Sequence, residues 1–227
     1  MGESDSPLKS DVFERTQADG AVVSAETYNT VIGLVLCWGL VVNWVIVRAV
    51  DPGRLQGIPP MLFMLGYFAS CFYGVYLFNS SKDPAVSFLG YNFVVIPFGL
   101  VLNIVLSRYD PRLISEAIQV TGLVTAIMMF LGSVSPQFFE GIHTSLTVAL
   151  MAMILVEFVQ IYVLGIARPW TDWVVTAIFC GYIGYDWGRA NRIPKTLDNA
   201  VDSAAAIYMD IVNLFLRILS LLARKRR

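Results

Sequence analysis

Asp186 and Asp210 lie inside the last two hydrophobic segments of this chain, in GYIGYDWGRANR at 181–192 and NAVDSAAAIYMDIVNLFLR at 199–217. An ionised carboxylate near the centre of a bilayer costs roughly 2.5–3.5 kcal/mol even on the most lenient scale. Two carboxylates held close in a low dielectric do not both ionise cheaply, so such a pair shares one proton and titrates as a unit. Protonated, it is a hydrogen-bonded latch; doubly ionised, it repels itself and offers hard oxygen ligands to a divalent cation. Calcium takes about six to eight oxygens. Asp186 and Asp210 with Asn213 and water would therefore hold it weakly and transiently, as passage through a pore requires. The alternative is that each aspartate has a private partner, and Arg189 and Arg192 follow close behind Asp186.

The flanking residues fit such a pair. Gly181, Gly184 and Gly188 recur at helical spacing, and small residues four apart let helices approach closely. Tyr182 lies one turn before Asp186 on the same face. Ala206, Asp210, Asn213 and Arg217 fall three or four apart and share one stripe. A helix with that stripe has too little apolar surface to face lipid all round. It is expected in the middle of a bundle, with Asp210 aimed at the helix that carries Asp186. Glu157, in LVEFVQIYV, is a further candidate for the polar interior.

The rest of the chain supplies the elements that must position these groups. Of its 227 residues 56% are hydrophobic and only 15% charged, and the mean hydropathy is +0.65. Soluble domains are about 25% charged, so lipid must solvate most of this chain. With a net charge of −1 and no basic stripe, it offers nothing to a nucleic-acid backbone. Cys37, Cys71 and Cys180 lie in different apolar runs without metal-ligand spacing, and are expected to be small core residues.

A membrane helix needs about 20 apolar residues. Seven segments qualify, near 28–48, 60–78, 87–107, 113–134, 143–165, 171–189 and 204–223, the last one marginally. Proline-rich breaks separate them, and the expected fold is all-α: a seven-helix membrane domain over 28–223 with the last helix central. An acidic tail is expected over 1–27 and a basic one over 224–227. Asn43, Asn92 and Asn103 are expected to make interhelical hydrogen bonds. His143 is expected near an interface, as are Trp170, Trp173 and Trp187. With seven crossings one side collects six basic residues and the other ten, including the C-terminal four. The C-terminus is then cytoplasmic.

These residues resemble the Bax inhibitor-1 family, also called the transmembrane Bax inhibitor motif family, in its bacterial form. The likeness rests on the small-residue helix ending GYIGYD, a connecting loop with DNAVD at 198–202, and YMDIVNLFLRIL at 208–219. YNTVIGLVLCWGLVVN at 28–43 and the basic C-terminus add to it. The resemblance implies a seven-helix bundle around its final helix and a pH-dependent calcium leak controlled by a di-aspartyl sensor. Asp186 and Asp210 match that sensor. Family members can also carry an arginine in the second helix that contacts the pair, and residues 60–78 contain no Arg, Lys or His. Either Arg217 or Arg189 takes that place, or the shared proton acts alone.

The expected activity is therefore a cation leak in a bacterial plasma membrane. Lipid, calcium and protons are its partners, and it needs no resident cofactor. An alternative is a regulatory protein that binds a membrane protease or a stress-response component through its acidic tail. An intramembrane aspartyl protease would also use two aspartates. Asp210, however, stands in YMDIV rather than in a Gly-x-Gly-Asp context, and no Pro-Ala-Leu motif follows. A non-enzymatic role is expected.

Overall fold

Asp51, Asp83 and Asp110 each precede a proline, and each opens a helix. Their carboxylates accept the backbone N–H two residues on, from Gly53 at 3.0 Å, Ala85 at 2.9 Å and Arg112 at 2.7 Å. Proline at the first helical position lacks the N–H that would have no intrahelical acceptor there anyway. In the computed structural model, which describes residues 20–165 and 169–226, the elements run α1 (Ala25–Ala49), α2 (Pro52–Gln56), α3 (Pro60–Ser80), α4 (Pro84–Leu106), α5 (Pro111–Val134), α6 (Pro136–Phe158), a π-helical turn (Val159–Val163), α7 (Pro169–Ala190) and α8 (Leu197–Lys225). Six of these helices are long and apolar enough to cross a membrane: α1, α3, α4, α5, α6 with its π turn, and α8. The protein is thus an all-helical integral membrane protein. The seventh segment, expected to be marginal, meets the requirement, whereas α7 is not among the six. The reason is composition, since α7 carries Asp172, Asp186 and Arg189.

The chain divides into two compact units. The first comprises residues 1–108 and 192–205. Here α4 packs on α1 and α3. The Tyr91 hydroxyl donates to the Val35 carbonyl at 3.1 Å, and the Trp38 indole donates to Asn92 Oδ1 at 3.0 Å. Asn103 Nδ2 donates to the carbonyls of Ile46, Val47 and Val50 at the end of α1, where Ile46 also accepts the Val50 N–H. A Cβ at Gly74 would fall on the Gly90 carbonyl oxygen, and one at Gly90 on that of Gly74. Glycine at both positions is what lets α3 and α4 touch backbone to backbone.

Three expectations need correction in this unit. Residues 198–202, read as a connecting loop, form the first turn of α8. Thr196 Oγ1 accepts the Asn199 N–H at 3.2 Å and caps that helix. α8 therefore begins seven positions before residue 204 (197 against 204). The end of the acidic tail is also structured. Val22 and Thr196 form an isolated antiparallel bridge, Val23 N–H donates to the Lys195 carbonyl, and Ser24 caps α1. Residues 1–19, Arg168 and Arg227 lie outside the described residues. Cys37, expected in the core, is exposed on α1.

The second unit comprises residues 109–191 and 206–227, with α5, α6, the π turn, α7 and the larger part of α8. In it α7 packs against both α5 and α6. α6 starts at Pro136, earlier than the residue 143 expected for this segment, so His143 lies about two turns inside the helix.

Candidate functional site

The second unit brings the two aspartates together. Asp186 of α7 is 7% exposed and Asp210 of α8 is 8% exposed, and a side-chain hydrogen bond joins them. An ionised carboxylate only accepts hydrogen bonds. A direct bond between two carboxyl groups therefore requires a proton on one of them. Asp210 Oδ2 is also buried and finds no hydrogen-bond partner among the described residues. That leaves one acceptor oxygen unsatisfied in a site where such a group is costly.

Close packing around α7 fixes Asp186. Gly132 of α5 and Gly184 of α7 face each other so closely that a Cβ at Gly132 would fall on the Gly184 carbonyl oxygen. A Cβ at Gly184 would enter the Phe139 ring, and one at Gly181 would meet Leu146 at 2.8 Å. At Gly188 the Gly132 carbonyl oxygen would lie 3.0 Å away. Polar groups add register. Tyr182 donates to Thr147 Oγ1 at 3.0 Å, the Trp187 indole to Ser133 Oγ at 2.8 Å, and Arg189 to Glu140 Oε1 at 2.7 Å. The ring of His143, expected near an interface, lies on Tyr185 with centroids 4.0 Å apart and planes 17° from parallel. Tyr182 thus looks toward α6 through its hydroxyl.

The supporting residues on α8 are used differently from the expectation. Asn213 Nδ2 donates to the Met209 carbonyl of its own helix at 2.8 Å. Arg217 reaches Glu157 through both terminal nitrogens, at 2.6 and 2.7 Å, and Asp172 at 3.0 Å. Arg217 therefore pairs with Glu157 and Asp172, and Glu157 in turn is occupied by Arg217. Among the described residues no three or more His, Cys, Asp or Glu side chains are grouped to hold a metal. A divalent cation at the aspartate pair would have to complete its shell largely with water and other oxygens.

Two polar groups escaped the sequence reading. Asp172, 4% exposed, looks in sequence like an acid at a helix entrance, and only the fold shows what it binds. In the first unit Tyr28, Ser87, Asp198, Asn199, Asp202 and Ser203 are all buried. Ser87 Oγ donates to Asp198 Oδ1 at 2.7 Å, and the Tyr28 hydroxyl lies 3.2 Å from Ser203 Oγ. The signal for the α8 members was available, since 199, 202 or 203, 206 and 210 continue one helical stripe.

Comparison with known proteins places these features in context. Residues 21–227 match the family described as Inhibitor of apoptosis-promoting Bax1. Bax inhibitor 1 of Schizosaccharomyces pombe is 30% identical over 130 residues, 55% of this chain and 47% of that protein. Inner membrane protein YbhL of Escherichia coli K12 is 22% identical over 138 residues, 56% of this chain and 59% of that protein. Protein LIFEGUARD 3 of Arabidopsis thaliana is 44% identical over 55 residues, 24% of this chain and 21% of that protein. The matched stretch thus spans about half the length of the first two relatives.

Proposed function

The chain belongs to the Bax inhibitor-1 family, and from that premise we propose that it is a proton-gated cation leak, calcium being the cargo, with Asp186 and Asp210 as its sensor. The observation that carries this reading is the buried hydrogen bond between the two carboxyl groups. With one proton present the bond ties α7 to α8. When pH rises and the proton leaves, two like charges about 4 Å apart at an effective dielectric of about 20 repel by roughly 4 kcal/mol. An interhelical hydrogen bond in a membrane is worth only about 0.6–2 kcal/mol, so repulsion wins and the tie becomes a wedge. The direction follows: closed in acid, open in alkali. The opened pair presents carboxylate oxygens to a passing divalent cation.

Seven crossings with the last helix innermost belong to the same reading. The 22 residues of α7 reach about 33 Å at 1.5 Å per residue, enough for the roughly 30 Å hydrocarbon core. Its acids Asp172 and Asp186 are buried, so its polarity is turned toward protein. The best apolar window of α8 is 44% buried, close to the 50% of α4 and well above the 11–22% of α1, α3, α5 and α6. Similarity to an inner membrane protein of E. coli and the basic C-terminus support a bacterial plasma membrane with that end in the cytoplasm. The pair is proposed to gain and lose a proton while catalysing no reaction on a substrate.

Calcium flux into proteoliposomes across a pH series tests this. The wild type should leak more as pH rises. Asp210→Asn, which can keep a hydrogen bond to Asp186 but cannot become the second charge, should flatten that response. Equal, pH-dependent flux from both proteins would remove Asp210 from the sensor.

A further inference from the structure

Beyond the aspartate pair, the polar stripe of α8 continues through Asn213, Arg217, Ser220 and Arg224, three or four residues apart on one face. Its last three members converge on one carboxylate. Arg217 Nη1 lies 3.0 Å from Asp172 Oδ1, Ser220 donates to Asp172 Oδ2 at 2.9 Å, and Arg224 Nη2 lies 3.3 Å from that same oxygen. Glu157, at the end of α6, grips Arg217 with both carboxylate oxygens. Farther on, Arg226 pairs with Glu116 of α5. The C-terminal half of α8 is thus pinned to α6, to the start of α7 and to α5, all within the second unit.

The charges in the cluster cancel. Arg217 and Arg224 oppose Glu157 and Asp172, and the Asp172 side chain is only 6% exposed. Side chains so matched have no need of a cation and offer it no vacant carboxylate. Glu157 is followed at once by the π-helical turn Val159–Val163. A π turn re-aims the residues around it and recurs at functional sites.

We propose that Arg217, clamped by Glu157 and Asp172, is a second closure along the α8 stripe, in series with the aspartate pair and barring cations on its C-terminal side. This rests on the cation-leak reading for its cargo, but the closure is a property of the ion-pair cluster itself. Proton loss at the aspartates loosens α7 from α8, and a cation then travelling along the stripe meets the Arg217 guanidinium. Passage requires the clamp to part. Removing the guanidinium leaves Glu157 and Asp172 against Arg224 alone, an acidic collar of the kind that raises local cation concentration about 10- to 1,000-fold.

Two readouts test it, one of them independent of flux. In a background with Cys37, Cys71 and Cys180 replaced by serine, Asn213→Cys reports access to the stripe through a membrane-impermeant thiol reagent. Arg217→Gln and Glu157→Gln should each raise its labelling rate, by roughly tenfold for a barrier lowered by about 1.4 kcal/mol. The charge swap Arg217→Glu with Glu157→Arg should return it toward the starting value. Calcium flux through Arg217→Gln at alkaline pH should rise in parallel, while at acid pH the aspartate pair keeps it low. Unchanged labelling in folded Arg217→Gln and Glu157→Gln overturns the closure even where Asp210→Asn alters flux. Raised labelling without calcium flux in any protein, wild type included, leaves the closure standing and overturns the leak. Where Arg217→Gln does not fold, Glu157→Gln and the charge swap decide the matter.

Discussion

Two buried carboxyl groups that face each other can bond only if one of them holds a proton, and that makes Asp186 and Asp210 the informative residues of this chain. Tyr182 lies one turn before Asp186, yet its hydroxyl is given to Thr147 of α6. Its role is therefore positional. Tyr182→Phe should lower stability by only about 0.6 kcal/mol, the mean for such bonds in membranes, and should leave the pH response of the proposed leak in place. Thermal unfolding in detergent and flux on the same preparation check this, and a collapsed pH response would instead make the hydroxyl part of the proton path. Asn213 teaches the converse lesson. Its position on the stripe suggested a ligand, but its amide nitrogen is tied to the Met209 carbonyl within its own helix.

Helices α5 and α7 meet at glycine, and that contact holds the aspartate of α7 at its depth. A methyl group at Gly132 would fall on the Gly184 carbonyl oxygen, a backbone atom that moves only with its helix, whereas one at Gly122 meets nothing within 4 Å. Gly132→Ala should therefore destabilise the protein by about 1–3 kcal/mol, the usual cost of overpacking. Gly122→Ala should be neutral or stabilising by up to about 1 kcal/mol, since alanine is the better helix former. Comparing the two in one unfolding assay separates a steric effect from helix propensity. The sequence exposed Gly181, Gly184 and Gly188 through their spacing. Gly132, the facing residue, sits 52 positions before Gly184 (184 − 132) and has no spacing signal of its own.

For the whole chain, the lipid-solvated character is carried by six apolar helices, and the direction of insertion by the placement of its basic residues. Arg224, Lys225 and Arg226 close α8 or follow it directly, and cationic side chains near a membrane helix stay on the cytoplasmic side. A fluorescent protein fused after Arg227 should light up in a bacterial host, and alkaline phosphatase at the same position should stay inactive. The opposite pattern would invert the topology and make the side bearing the Arg217 cluster extracytoplasmic.

Apolar runs of membrane-spanning length, Asp-Pro helix starts and a stripe at three-and-four spacing are local patterns. The sequence alone therefore determined an all-helical membrane protein and singled out Asp186 and Asp210. The start of α8 was missed because its first turn, with Asp198 and Asn199, is more polar than a lipid-facing segment, and residues 198–201 are buried by protein instead. α7 was expected to cross like the other segments, but Asp172, Asp186 and Arg189 lower its apolar content below that of the six others. Pairing lies beyond such patterns. Whether Arg217 serves the aspartates or Glu157 and Asp172 depends on which side chains of α6 and α7 come within about 3 Å of it. Those partners are 60 and 45 positions away in the chain, and only packing brings them there.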